Sequence, residues 1–151
     1  VMQHPGIAGS VFDSLPPETF GHPAYAAVSD AVREAGGTAA GLGGGEWLDA
    51  VGKKAEAKGL RSLVTELAVE PMPISEEAPP RYISGVLARL QEVWVGRQVA
   101  ELKSKLQRMS PIEKPEDYNA LFGDLIALEQ YRRSLLEQAV GSTTDAEFPA
   151  I

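Results

Sequence analysis

Few residues in this chain have the type and spacing that chemistry needs. Six glycines fall between Gly36 and Gly45, a density that lets successive backbone N–H groups wrap a phosphate. The run Gly41-Leu42-Gly43-Gly44-Gly45-Glu46 lacks the Gly-Lys-Ser/Thr ending of a phosphate loop. It also puts Glu where the dinucleotide fingerprint needs its last glycine, so it reads as a mobile loop between helices. His4 and His22 each precede a proline and stand apart, without metal-ligand spacing. The absence of cysteine removes thiol nucleophiles, disulfides and nearly all structural zinc sites. Ser10 and Ser84 lie within helical patterns, and no Gly-x-Ser-x-Gly elbow exists. Glu116, Asp117 and Asp124 carry the one enzymatic reading, a small metal-dependent hydrolase. Asp117 and Asp124 are seven apart and share a helix face that would hold a divalent ion. Against it, Glu116-Asp117 sits at a helix start and complements the positive dipole end without any catalytic role. Arg132-Arg133 beside Tyr131 suggests an anchor for a protein partner, since Arg and Tyr are enriched at binding hot spots.

The elements that must position these residues are helices; no alternating run bounded by a turn signal predicts a strand. A first helix runs to about Leu15 and stops at Pro16-Pro17. A second, from Pro23 to Ala35, repeats Tyr25, Val28 and Val32 and ends at Gly36-Gly37. A third carries Trp47, Leu48 and Val51, and a fourth Leu60, Leu63, Val64 and Leu67. Pro71, Pro73, Pro79 and Pro80 then mark an irregular connection. Arg81 to Met109 contains no proline and predicts one helix about 43 Å long. Its stripe of Ile83, Leu87, Leu90 and Trp94 is replaced near Gly96 by Val95, Val99, Leu102, Leu106 and Met109, rotated by about 120°. The first half is expected to close a bundle and the second to pair elsewhere. A short turn from Ser110 to Pro115 leads into a helix from Glu116 to about Val140, which makes an antiparallel hairpin.

Leu121, Leu125, Leu128 and Leu135 form the hairpin seam facing Val99, Leu102 and Leu106. With Tyr118, Phe122, Ile126, Tyr131 and Leu136 they cover about 220° of the last helix, against about 100° for a single buried face. The excess marks a partner site. The chain therefore reads as all-α, a multi-helix bundle over 1–96, a helical hairpin over 97–140 and a flexible tail over 141–151. It is expected to be a piece of a longer polypeptide. Of its 14 basic and 21 acidic residues, seven and seven fall in 97–140, and seven and twelve in 1–96. The acidic balance argues against a nucleic-acid groove, and no apolar run is long enough for a membrane span. Lacking a signal-peptide pattern, the chain is expected in the cytoplasm, with no cofactor. A homo-oligomeric helical module stays open.

The run from Pro80 to Glu92, the run Lys103-Ser104-Lys105-Leu106-Gln107-Arg108-Met109-Ser110-Pro111, Tyr118-Asn119-Ala120-Leu121-Phe122 and Leu128 to Leu136 resemble the C-terminal domain of bacterial DnaG-type primases. Gln3-His4-Pro5 is similar to the end of that domain's first helix, and Phe20-Gly21-His22-Pro23 to its next junction. The resemblance covers roughly residues 1–140. It implies a bundle followed by a hairpin that docks on the N-terminal domain of the DnaB-type replicative helicase, bringing primase to the fork and modulating the helicase. The helicase-contacting residues it implies are Leu121, Phe122, Leu125, Ile126, Tyr131, Arg132, Arg133, Leu135 and Leu136. It also implies a pocket near the first helix for the acidic tail of single-stranded-DNA-binding protein. The polymerase activity belongs to other parts of such primases. The N-terminal domain of the helicase itself, which shares the bundle-plus-hairpin design, is the alternative.

Overall fold

The computed structural model describes residues 1–72 and 79–143. The α-helices are α1 (Pro5–Asp13), α2 (Pro23–Glu34), α3 (Gly37–Ala40), α4 (Gly45–Glu56), α5 (Arg61–Val69), α6 (Pro79–Gln107) and α7 (Pro115–Thr143), with no strand among the described residues. Proline opens α1, α2, α6 and α7 as well as the 3-10 turn Pro17–Thr19. At a first helical position it has no N–H to lose and its φ is already set. Pro5 thus begins α1. The expected tail lies outside the described residues from position 144 onward.

The bundle core gathers Phe12, Leu15, Val28, Val32, Trp47, Val51, Val64, Ile83 and Leu87. Each large apolar side chain fully buried in this way stabilises the fold by about 1.5–3 kcal/mol. The glycine-rich segment, expected to be a mobile loop, is instead a folded connector of α3 and the 3-10 turn Gly41–Gly43. Thr38 is buried within it and donates from its backbone N–H and its hydroxyl to the Asp13 carboxylate, at 3.0 and 2.7 Å. The Trp47 indole N–H donates to the Gly37 carbonyl at 3.1 Å. At Gly41 a Cβ would lie 2.5 Å from the Pro5 ring, so here glycine permits close packing rather than motion.

α6 runs without interruption through Gly96. Ile83 and Leu87 face the bundle, while Ala88, Val95 and Val99 face Leu135 and Ala139 of α7. The two faces lie about 120° apart around the helix. The predicted rotation is therefore real, but the faces run side by side over residues 83–97 instead of one following the other. The α7-facing stripe escaped notice in the first half because it is written in small or charged residues, Ala88 and Glu92. Arg97 fastens the far side of α6 to the bundle by donating to the carbonyls of Glu18 and Thr19, at 2.7 and 3.1 Å.

Candidate partner-binding face

The residues of α7 singled out from the sequence fall into three groups. Leu135 is 3% exposed and packs with Val95 and Val99, with Leu125 and Leu128 against the same cluster. A side chain so placed holds the hairpin closed, which corrects its expected role as a contact residue. Leu121 and Leu125 are half-buried along the same seam.

The second group ties α7 to α6 through polar bonds. Glu92 is 3% exposed and its carboxylate takes a bond from Arg132 Nε at 2.8 Å and another from Arg89. A buried carboxylate needs such partners, because an unpaired charge in a low-dielectric interior is strongly disfavoured. Gly96 makes room for this pair: a Cβ there would stand 3.2 Å from Arg132 Nε. Tyr131 donates its hydroxyl to Gln91 Oε1 at 3.0 Å. On the helix it sits opposite Phe122, so the expected single apolar arc is divided. Arg132 turns inward as a structural residue, whereas its neighbour Arg133 is exposed.

The third group faces solvent. Phe122, Ile126 and Leu136 are 43–47% exposed, and Val140 is 54% exposed. Val140 was missed, although its +4 spacing from Leu136 signals it. Together they make a stripe about 27 Å long. Tyr118 stacks on Phe122 with ring centres 6.5 Å apart and planes inclined by 7°, which fixes one end. Within the stripe Glu129 accepts from Lys103 of α6 at 2.6 Å. That bond, more than the nearby cations, holds its carboxyl below the usual glutamate range.

A family model described as DNA primase DnaG DnaB-binding matches residues 1–121. The chain belongs to this primase-domain family. Over 145 residues it is 58% identical to a DNA primase of Mycobacterium tuberculosis, and over 146 residues 56% identical to one of Mycolicibacterium smegmatis. In each case the alignment takes in 96% of this chain and 23% of the relative. A DNA primase of Streptomyces coelicolor is 29% identical over 145 residues. A solved helicase-binding domain of primase from Mycobacterium tuberculosis superposes with a TM-score of 0.78 at 59% identity, covering 93% of this chain and 88% of that one. These relatives are primases, whereas the sequence had left the N-terminal domain of the helicase as an alternative.

Among the described residues no three or more His, Cys, Asp or Glu side chains are grouped so as to hold a metal, and Glu116, Asp117 and Asp124 are all exposed on α7. His22 Nδ1 accepts from the Ala24 N–H at 3.2 Å, so it caps α2. Beside α1 a cavity of about 460 Å³ is lined by Met2, His4, Phe12, Tyr25, Glu70 and Tyr82, among others, and among the described residues by no lysine or arginine. No helix among the described residues is long and apolar enough to cross a membrane.

Proposed function

We propose that this chain is the helicase-docking module of a DNA primase and that the outer face of α7 meets the N-terminal domain of a DnaB-type helicase. The observation that carries the reading is the stripe of Phe122, Ile126 and Leu136, half-exposed on a helix that Glu92 and Arg132 hold in place. Exposed apolar area on a rigid element suits a protein partner. In this reading residues 1–96 form the platform and 97–140 the presenting hairpin. The chain contributes attachment and no catalytic group, and polymerisation of the primer belongs to the rest of the primase. Docking would bring that activity to the replication fork in the cytoplasm and alter the helicase's own rate.

Titration calorimetry against the helicase N-terminal domain tests the assignment. Phe122→Ala with Ile126→Ala is expected to weaken binding at least about tenfold, with a thermal melt to show that the variant stays folded, since each side chain is about half covered in the free domain. Tyr131→Ala, on the other side of α7, is expected to matter little. Full affinity in the double variant would remove α7's outer face from the contact.

A second reading concerns the acidic tail of single-stranded-DNA-binding protein. Among the described residues the cavity beside α1 offers that tail no lysine or arginine. A slot of about 380 Å³ between the turn Pro17–Thr19 and α6 sets Arg89, bonded to Glu92, and Arg97, bonded to the Glu18 and Thr19 carbonyls, around Val86, Leu90 and Val93, which suits a chain combining acidic and apolar residues. Fluorescence anisotropy with such a peptide should lose its signal in Arg97→Glu. An unchanged isotherm rules out the slot.

A further inference from the structure

The outer stripe of α7 has a finer order than its apolar character alone. Phe122, Ile126, Glu129, Arg133, Leu136 and Val140 succeed one another at +4, +3, +4, +3 and +4. This is the alternation of the two seam positions of a heptad repeat, the pattern by which one helix packs along another. It lies on a flank of α7 about 100° around the helix from the seam with α6, where Leu125, Leu128, Leu135 and Ala139 pack.

The six positions also read as a palindrome. Apolar residues occupy both ends and one acid and one base the middle. If a second α7 lies antiparallel with its centre opposite residue 131, Phe122 meets the partner's Val140 and Ile126 meets the partner's Leu136. Glu129 then meets the partner's Arg133, and by symmetry the reverse holds. Every facing pair is apolar with apolar or acid with base. A parallel pairing in register would set Glu129 against the partner's Glu129 and Arg133 against the partner's Arg133. An antiparallel pairing slipped by one heptad would set Phe122 against the partner's Arg133. Like every two-fold interface, this one uses the same patch on both chains.

We propose that the outer face of α7 pairs with a second copy of this chain, antiparallel about a two-fold axis at residue 131. Arg133 is exposed, and its charge acts on the Glu129 carboxylate one turn away on its own helix across solvent, where such an attraction is weak. Glu129 meets Lys103 through one oxygen, leaving the other for an incoming guanidinium. At Gly123, which flanks the stripe, a Cβ would meet nothing within 4 Å, so the second helix can come close. Charged residues at seam positions weaken such a pairing while selecting its register and direction. One pair of helices about 27 Å long also makes a small interface, and small interfaces form transient complexes. The dimer is therefore weak and register-specific. It covers the stripe assigned to the helicase, so the two associations exclude each other. That exclusion, though not the pairing itself, rests on the helicase-docking reading.

Sedimentation equilibrium of the domain over a wide concentration range tests the pairing without the helicase. The expected result is a monomer–dimer equilibrium whose dissociation constant rises at least about tenfold in Arg133→Glu. Glu129→Arg should show the same loss. Mixing these two variants gives one chain with two positive seam residues and one with two negative, so a heterodimer is expected where neither variant pairs alone. The double variant Glu129→Arg with Arg133→Glu should pair with itself again. Circular dichroism melts of each variant separate lost pairing from lost folding. A folded wild type that stays monomeric throughout overturns the proposal, and so does a mixture of folded single variants that forms no heterodimer. A dimer that binds the helicase domain as well as the monomer does overturns only the exclusion.

Discussion

Replacing Arg132 with methionine keeps most of the side chain's length and withdraws its guanidinium from Glu92. A hydrogen bond to a charged group contributes about 1.5–3 kcal/mol. The Arg132 side chain is 42% exposed and Arg89 stays on the same carboxylate, so the loss should fall at the low end, about 1.5 kcal/mol. For a chain of this length that lowers the melting temperature by about 3–6 °C. Glu92→Met should behave differently. It removes the buried charge itself and returns two partly exposed guanidinium groups to water, so stability should stay within about 0.5 kcal/mol of wild type or rise slightly. The double variant should then match Glu92→Met, giving a coupling energy close to the whole cost of Arg132→Met. Urea unfolding followed by circular dichroism, with an unchanged m-value, reads all three. If Glu92→Met costs as much as Arg132→Met, the carboxylate is a net stabiliser and the desolvation reasoning is refuted.

Other substitutions give separate checks. Gly96→Ala should gain about 0.5–1 kcal/mol of helix preference when Arg132 is already alanine, and lose that gain in the wild type, where the new methyl crowds the guanidinium. Paired thermal melts decide it. Gly41→Ala should destabilise by about 1–3 kcal/mol, because the proline ring 2.5 Å from the new Cβ cannot swing aside. An unchanged urea midpoint would show that the connector yields. Asp13→Ala leaves the buried Thr38 N–H and hydroxyl without their acceptor and should cost about 1–3 kcal/mol, seen also as faster amide exchange at Thr38. The Glu129 carboxyl is held below its ordinary value by Lys103. Its contribution is therefore complete above that value and is lost as pH falls through the lowered one. Lys103→Met should flatten the acid limb of stability against pH, and a limb that does not change removes the pair from the account.

What could be read from sequence followed from periodicity and punctuation. The first two helices, the long helix, the short turn and the antiparallel hairpin all lie close to where prolines, glycines and apolar spacing put them. The missing parts depend on contacts between distant positions. Nothing near Gly41 in the chain reveals that Pro5 packs against it, so a folded connector looked like a loose one. Nothing near Glu92 reveals Arg132, forty positions away, so the face that α6 turns to α7 looked polar and hence exposed. The expected contact set mixed inward and outward residues for a related reason. A wheel of α7 shows which residues are apolar but not which side α6 occupies. Once α6 is placed, Leu135 and Arg132 turn inward, Tyr131 moves to the far flank, and Phe122, Ile126, Arg133 and Leu136 remain outside.

Because adjacent residues Leu87 and Ala88 belong to different cores, α6 is a wall shared by two rooms, and this governs how the domain can be recombined. A chimera joined at Gly96 would set a foreign α7 against Ala88, Glu92 and Val95, none of which was selected to receive it. Exchanging α6 and α7 together from Pro79 onward keeps Glu92 with Arg132 and moves the mismatch to Ile83 and Leu87, whose apolar contacts tolerate substitution of similar volume. The transplantable unit is the pair of long helices.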